Sequence, residues 1–281
     1  MNLYTHYAKL LLASSPDPEN LKLAIDSVNP VQFLKMISAV DQKEHMPTIP
    51  SLHCDQPKFY WIFRNMDFQQ WDNANCSQVL WLSGPPECSI HQVSSHIVTE
   101  KALKPECRVL YFFCSAAARE ESIISRFIHT LLYQVICSLP VGKKISIVRN
   151  ILHILVDGIF KREGAYNLEI TRFGGSPEIK LSGIVDAPTN ALWAALEAVL
   201  ADEQAKELLI VVDGLDKVRY KQQEFISAVR AFIGHLQQRI SKVKILLTSQ
   251  PRNDIKKELD RFSSIEYDKE RKGCTITRIS L

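Results

Sequence analysis

"LSGPPECSIHQ", Leu82 to Gln92, stands between the apolar run Val79-Leu80-Trp81-Leu82 and "QVSSHIV", a stretch with helical spacing. A strand, a Gly/Pro turn and a helix start are the setting of a phosphate-binding loop. Counted from Gly84, the stretch follows the spacing G-x-x-x-x-G-K-[ST]. Ser89, Ile90 and His91 occupy the places of the second glycine, the lysine and the hydroxyl. The setting therefore argues for one fold, while the residues argue against the chemistry that usually goes with it.

Working outward, the chain alternates apolar segments of strand length with segments of helical period. "RVLYFFC" (108–114), "ELLIVVDGL" (207–215) and "KVKILLTSQ" (242–250) are apolar on both of their alternating faces. Strands of that kind, separated by helices such as "REESIISRFIHTLLYQVICSL" (119–139) and "QQEFISAVRAFIGHLQQRI" (222–240), belong to a parallel sheet covered on both sides. "SSIEYD" (263–268) reads as a last edge strand. Upstream, "DPENLKLAIDSV" and "PVQFLKMISAV" are helical, and "HMPTIPSLHCDQP" (45–57) is a proline-rich linker. "KFYWIFRNMDFQQW" (58–71) has the spacing of a short amphipathic helix, better suited to packing at the start of a domain than to stacking on bases. "REGAYNLEITRFGGSPEIKLSGIVDAPT" (162–189) is polar and glycine-rich, as an insertion or long loop would be. The expected fold class is α/β, a parallel P-loop-type sheet of about five strands flanked by helices, with a helical N-terminal segment.

Composition sets outer limits. With 281 residues, 46% of them apolar, the chain can bury a large core. A net charge of +3 with interspersed signs gives no footprint for nucleic acid, so none is expected as a partner. No apolar run approaches the roughly 18–20 residues of a membrane span. The seven cysteines, at 54, 76, 88, 107, 114, 137 and 274, follow no framework and suggest reduced thiols, hence a cytoplasmic protein.

Three strand ends carry the functional signal. The first is the turn at Gly84. The second is "LLIVVDGLDK", ending in Asp213 with Asp216 three residues on; a carboxylate there orients Mg²⁺ in phosphoryl-transfer folds. The third is "KILLTSQPRNDI", ending in Thr248, Ser249 and Gln250. All three belong at the C-terminal edge of the sheet, where α/β folds place ligands.

The series "FYWIFRN…FQQW…SQVLWLSGPPE", "VLYFFCSA", "LLIVVDGLDKV", "KILLTSQPRNDI" and "IEYDKERK" resembles the NACHT-type P-loop ATPase modules of fungal STAND proteins, including those described as nephrocystin-like or heterokaryon-incompatibility proteins. The resemblance runs over roughly residues 57–272, leaving 1–56 as a helical segment and linker and 273–281 as a short tail. It implies a nucleotide-gated switch between an N-terminal effector and C-terminal ankyrin, WD or TPR repeats. Gly84 and Pro86 match the family loop G-x-P-G-x-G-K-[ST]. Glu87 and Ser89 replace its later glycines, Ile90 its lysine and His91 its hydroxyl. Lys217 stands where an acid usually follows the second strand, and Gln250 where an arginine follows the third.

Each departure has a physical cost. Glycines let backbone N–H groups turn onto phosphate at positive φ. A charge-assisted lysine–phosphate bond contributes about 1.5–3 kcal/mol, so Ile90 alone weakens binding tens-fold. His91 is a poor Mg²⁺ ligand, because that ion prefers oxygen. The expected function is a degenerate, non-hydrolysing signalling or interaction module with protein partners or self-association, needing no cofactor. A switch that binds ATP or GTP with Mg²⁺ is the alternative. Its site would be Gly84, Pro86, Glu87, Cys88, Ser89, Ile90, His91 and Gln92, with Asp213 and Asp216 for the metal and Thr248, Ser249 and Gln250 as sensor. A fragment of a longer repeat protein is a third reading. Cys88 and His91 also have the two-residue gap of metal ligands, but no second pair follows at ligand spacing. In the degenerate reading the loop keeps its path and is filled by its own side chains, with a Glu87 or Ser89 oxygen capping the helix and Ile90 either pointing where the lysine would reach or turned into the core beside "LLIVV".

Overall fold

The computed structural model describes residues 22–23, 25–26, 28–37, 60–115, 123–160, 170–173, 176–179, 187–201, 207–240, 242–268 and 273–277. The linker 45–57 and most of the N-terminal segment lie outside them. The chain divides into two compact units, one of residues 1–41 and 125–202, the other of 42–124 and 203–281.

In the first unit the described elements are helices and one β-hairpin. Here α1 is Pro30–Ile37, α4 is Ile123–Ser138 (its first two residues counted with the other unit), α5 is Val141–Phe160 and α6 is Thr189–Ala201. Their apolar residues recur at three- and four-residue intervals, so each helix has one face to bury. Phe33, Phe127, Leu131, Val148, Leu152 and Leu196 are buried. Ile170–Phe173 (β3) and Ser176–Ile179 (β4) pair antiparallel, a hairpin inside the stretch read as a loop.

The second unit is a six-stranded sheet. In chain order it comprises β1 (Gln78–Ser83), β2 (Cys107–Phe113), β5 (Glu207–Asp213), β6 (Val243–Ser249), β7 (Ser263–Asp268) and β8 (Gly273–Thr277). The spatial order is β2-β5-β6-β1-β7-β8. The first five are parallel and β8 pairs antiparallel with β7. This is the expected α/β fold, with five parallel strands and the Asp213 strand one place removed from the Gly84 strand. The edge differs from expectation. "SSIEYD" is covered by β8, a five-residue strand inside the stretch 273–281 read as a short tail.

Alternation along the strands places two apolar sets on opposite faces. Leu80, Leu82, Leu209, Val211, Leu246 and Ile265 join Ile90, Val93, Ile97 and Val98 of α3 (Ile90–Ala102) in one cluster. Ile62, Phe68 and Trp71 close the same cluster. They come from the aromatic stretch, which forms a 3₁₀ turn, Tyr60–Arg64, and then α2, Met66–Asn73. Asn65 caps α2, its side chain accepting a hydrogen bond from the Phe68 N–H at 2.9 Å. The other face carries Trp81, Ile210, Val212, Ile245 and Leu247, also buried. There α7 (Gln222–Arg239) packs on β6, and Phe225 meets Phe112 with ring centroids 6.1 Å apart.

The N-terminal edge of the sheet holds a buried cation, Lys244. It bonds the Asp72 carbonyl, pairs with Glu207 at 3.4 Å and lies 5.9 Å from the Trp71 ring. Burial lowers its pKa despite Glu207 and Asp72. Such a charge persists in a core only because it is paired on several sides.

Candidate functional site

At the opposite, C-terminal edge the backbone ladder runs past the strand ends. The Gly84 N–H donates to the Ser249 carbonyl at 3.3 Å, and the Gly214 N–H to the Thr248 carbonyl at 3.1 Å. This draws the three sequence-marked strand ends together. Parallel strands put like ends on one edge, so segments far apart in sequence share one rim.

The loop after β1 turns through a 3₁₀ segment, Pro86–Cys88, into α3. Ser89 takes φ of +58°, the left-handed region that favours glycine. The backbone thus takes a glycine-like turn at Ser89 without a glycine. Ser89 makes no side-chain cap, contrary to the expectation from sequence. In this left-handed turn its carbonyl still receives the Gln92 N–H at 2.9 Å, and its hydroxyl does not reach the helix start.

The interior of the turn is filled. A Cβ on Gly84 would lie 2.6 Å from Cys88 Sγ and 3.0 Å from both Ile90 Cδ1 and Tyr267 Cβ. Cys88 is buried with its thiol donating to the Pro85 carbonyl at 2.8 Å, while its own carbonyl receives the Trp61 indole N–H at 3.3 Å. Trp61 in turn packs on Tyr267, centroids 4.9 Å apart. Ile90, only 6% exposed, sits in the apolar cluster with Leu209 and Val211. Pro86 and Glu87 are exposed, and Gln92 is half-buried.

The polar centre of the rim is Asp213, at 1% exposure. His91 Nδ1 lies 2.6 Å from its Oδ2. The Ser94 and Thr248 hydroxyls each donate to Oδ1 at 2.7 Å. Burial pushes the Asp213 carboxyl up, but the hydrogen bond and charge of His91, with the Ser94 and Thr248 hydroxyls, outweigh it. The net displacement is below its ordinary 3.8. Thr248 also accepts the Gly214 N–H at 3.0 Å, so the hub joins α3, β5 and β6.

The other marked residues have separate partners. Adjacent residues of a strand face opposite ways, so Ser249 turns to the far face and receives the Trp81 indole N–H at 3.0 Å. Asp216 accepts the Gln250 backbone N–H at 2.9 Å, fixing the turn after β5 to the end of β6. Gly214 needs its glycine, with φ of +76° and the Lys217 stem 3.1 Å from where a Cβ would stand. Among the described residues no group of three or more His, Cys, Asp or Glu is placed to hold a metal. Ser94 was missed from sequence. Its signal is spacing, since three residues after His91 it shares that residue's helix face.

Residues 58–153 match the family Nephrocystin 3, N-terminal, a span holding β1, the loop, α3, β2 and α4 but not Asp213 or Thr248. No curated protein matches the sequence significantly. One chain in the structure of Drosophila ORC bound to DNA superposes at 11% identity and a TM-score of 0.36, over 92% of this chain and 51% of that one. This chain therefore spans about half the length of that one. Among the described residues no helix is long and apolar enough to cross a membrane.

Proposed function

We propose that the protein is a degenerate NACHT-like module that works as a non-hydrolysing scaffold in signalling or assembly. The observation that carries this reading is the state of Asp213. Both of its carboxylate oxygens are taken by His91, Ser94 and Thr248 of the same chain. A Mg²⁺-orienting carboxylate needs at least one oxygen directed at the ion or its waters. Ile90 in the core and Cys88 under Gly84 support the same reading, since apolar and sulfur atoms fill a turn that would otherwise cradle a phosphate. The partners it implies are proteins or further copies of the chain, in the cytoplasm.

The test is titration of the full chain with ATP, ADP and GTP plus Mg²⁺, by calorimetry and by thermal unfolding. A ligand at a hundred times its Kd would add about 2.7 kcal/mol of stability. No heat and no shift at millimolar nucleotide is the expected result. A saturable shift accompanied by phosphate release would overturn the proposal in favour of an NTPase switch.

A further inference from the structure

We propose that His91 is a built-in plug on Asp213, seated where a hard divalent cation would otherwise bind, so that imidazole and cation compete for one carboxylate. The proposal rests on the non-hydrolysing reading above and gives its cause.

Three observations lead there. First, of the three side chains on Asp213, Ser94 and Thr248 are fully buried, whereas His91 is 34% exposed. The imidazole is thus the partner on the solvent side of the hub. Second, the two hydroxyls share Oδ1 and the imidazole alone holds Oδ2. Removing the ring would expose one oxygen and leave the carboxylate pinned by the other. Third, among the described residues no other charged side chain pairs with that oxygen. Asp216 is held by the Gln250 N–H, and the Lys217 stem lies over Gly214. A carboxylate this buried needs either an internal donor or a bound cation. The chain supplies the donor from His91, at the second position of α3.

The competition is tested with Mn²⁺ alone, without nucleotide, counting bound ion by the loss of its free-ion EPR signal. Mn²⁺ suits a carboxylate and water ligand set. Wild type, His91→Ser, Asp213→Asn and the double variant are compared on the full chain, each checked for folding by circular dichroism. We expect no saturable Mn²⁺ on wild type. His91→Ser should take up one ion per chain, at least roughly tenfold tighter than any wild-type uptake. The double variant should lose it. A folded His91→Ser that binds no better than wild type overturns the proposal, as does wild-type uptake that Asp213→Asn abolishes. If His91→Ser does not fold, the plug predicts that Asp213→Asn in the same chain restores folding, by removing the charge left without a donor. A double variant that stays unfolded overturns it too. Nucleotide with Mg²⁺ on wild type would instead sink the scaffold reading, so the two failures are told apart.

Discussion

Replacing Asp213 by alanine removes the acceptor shared by three side chains from two other elements. His91, Ser94 and Thr248 each donate to it, at 2.6, 2.7 and 2.7 Å. Hydrogen bonds to a charged group contribute about 1.5–3 kcal/mol each. The three act as one network, so their losses do not add. Breaking a buried charged network by deleting one member costs about 3–5 kcal/mol. Over 281 residues, that lowers the midpoint of thermal unfolding by roughly 5–9 °C when the whole chain unfolds in one step. Differential scanning calorimetry at neutral pH reads it directly. The pH dependence gives a second check with a definite sign. Folding lowers the Asp213 pKa from 3.8, so the unfolded chain binds the proton more tightly. The stabilisation is full above the unfolded value and is lost as pH falls through the lowered one. Asp213→Asn should therefore remove part of the stability loss seen in wild type below about pH 4. A midpoint within 1–2 °C of wild type for Asp213→Ala (about 1 kcal/mol or less), with an unchanged acid limb for Asp213→Asn, would refute the hub as the tie between α3, β5 and β6.

Ile90→Lys alone should not produce turnover of ATP, because His91, Lys217 and Gln250 remain, and phosphoryl transfer needs several parts in place together; phosphate release above background in that variant would defeat the reading. The same change puts a cation into the cluster with Leu209 and Val211, so the melting temperature should fall. Ser89→Gly removes an L-residue from the left-handed region at φ +58° and should stabilise by about 0.5–1 kcal/mol after the entropy of glycine is counted. A lower melting temperature would mean that the Ser89 side chain contributes more than its backbone strain costs. Gly84→Ala should destabilise by about 1–3 kcal/mol, since its Cβ would meet Cys88 Sγ at 2.6 Å, and adding Cys88→Ala should recover part of that loss. Equal melting temperatures for Gly84→Ala and wild type would show that the loop yields freely.

The sequence alone determined the class of the sheet. "LLIVV" and "ILL" are apolar at consecutive positions, and a strand with no polar face is satisfied by cover on both faces. It also marked Gly84, Asp213 and Thr248, because strand ends followed by glycine or acids are visible in one dimension. Side-chain type told as much: Ile90 has no charge to offer a phosphate wherever it points. Only the tertiary structure decided which strand lies between which, and therefore that Thr248 stands beside Asp213. It also decided that His91, 122 positions away, closes that carboxylate. Local periodicity records how much of a residue is buried but not which distant residue buries it. The β8 strand escaped notice for a related reason, since an edge strand is defined by its hydrogen bonds to a neighbour more than by its own apolar pattern. Ser94 and Cys88 show the same limit. Their roles depend on a 2.7 Å contact and on the space above one glycine, and neither distance exists until the sheet has brought its strand ends together.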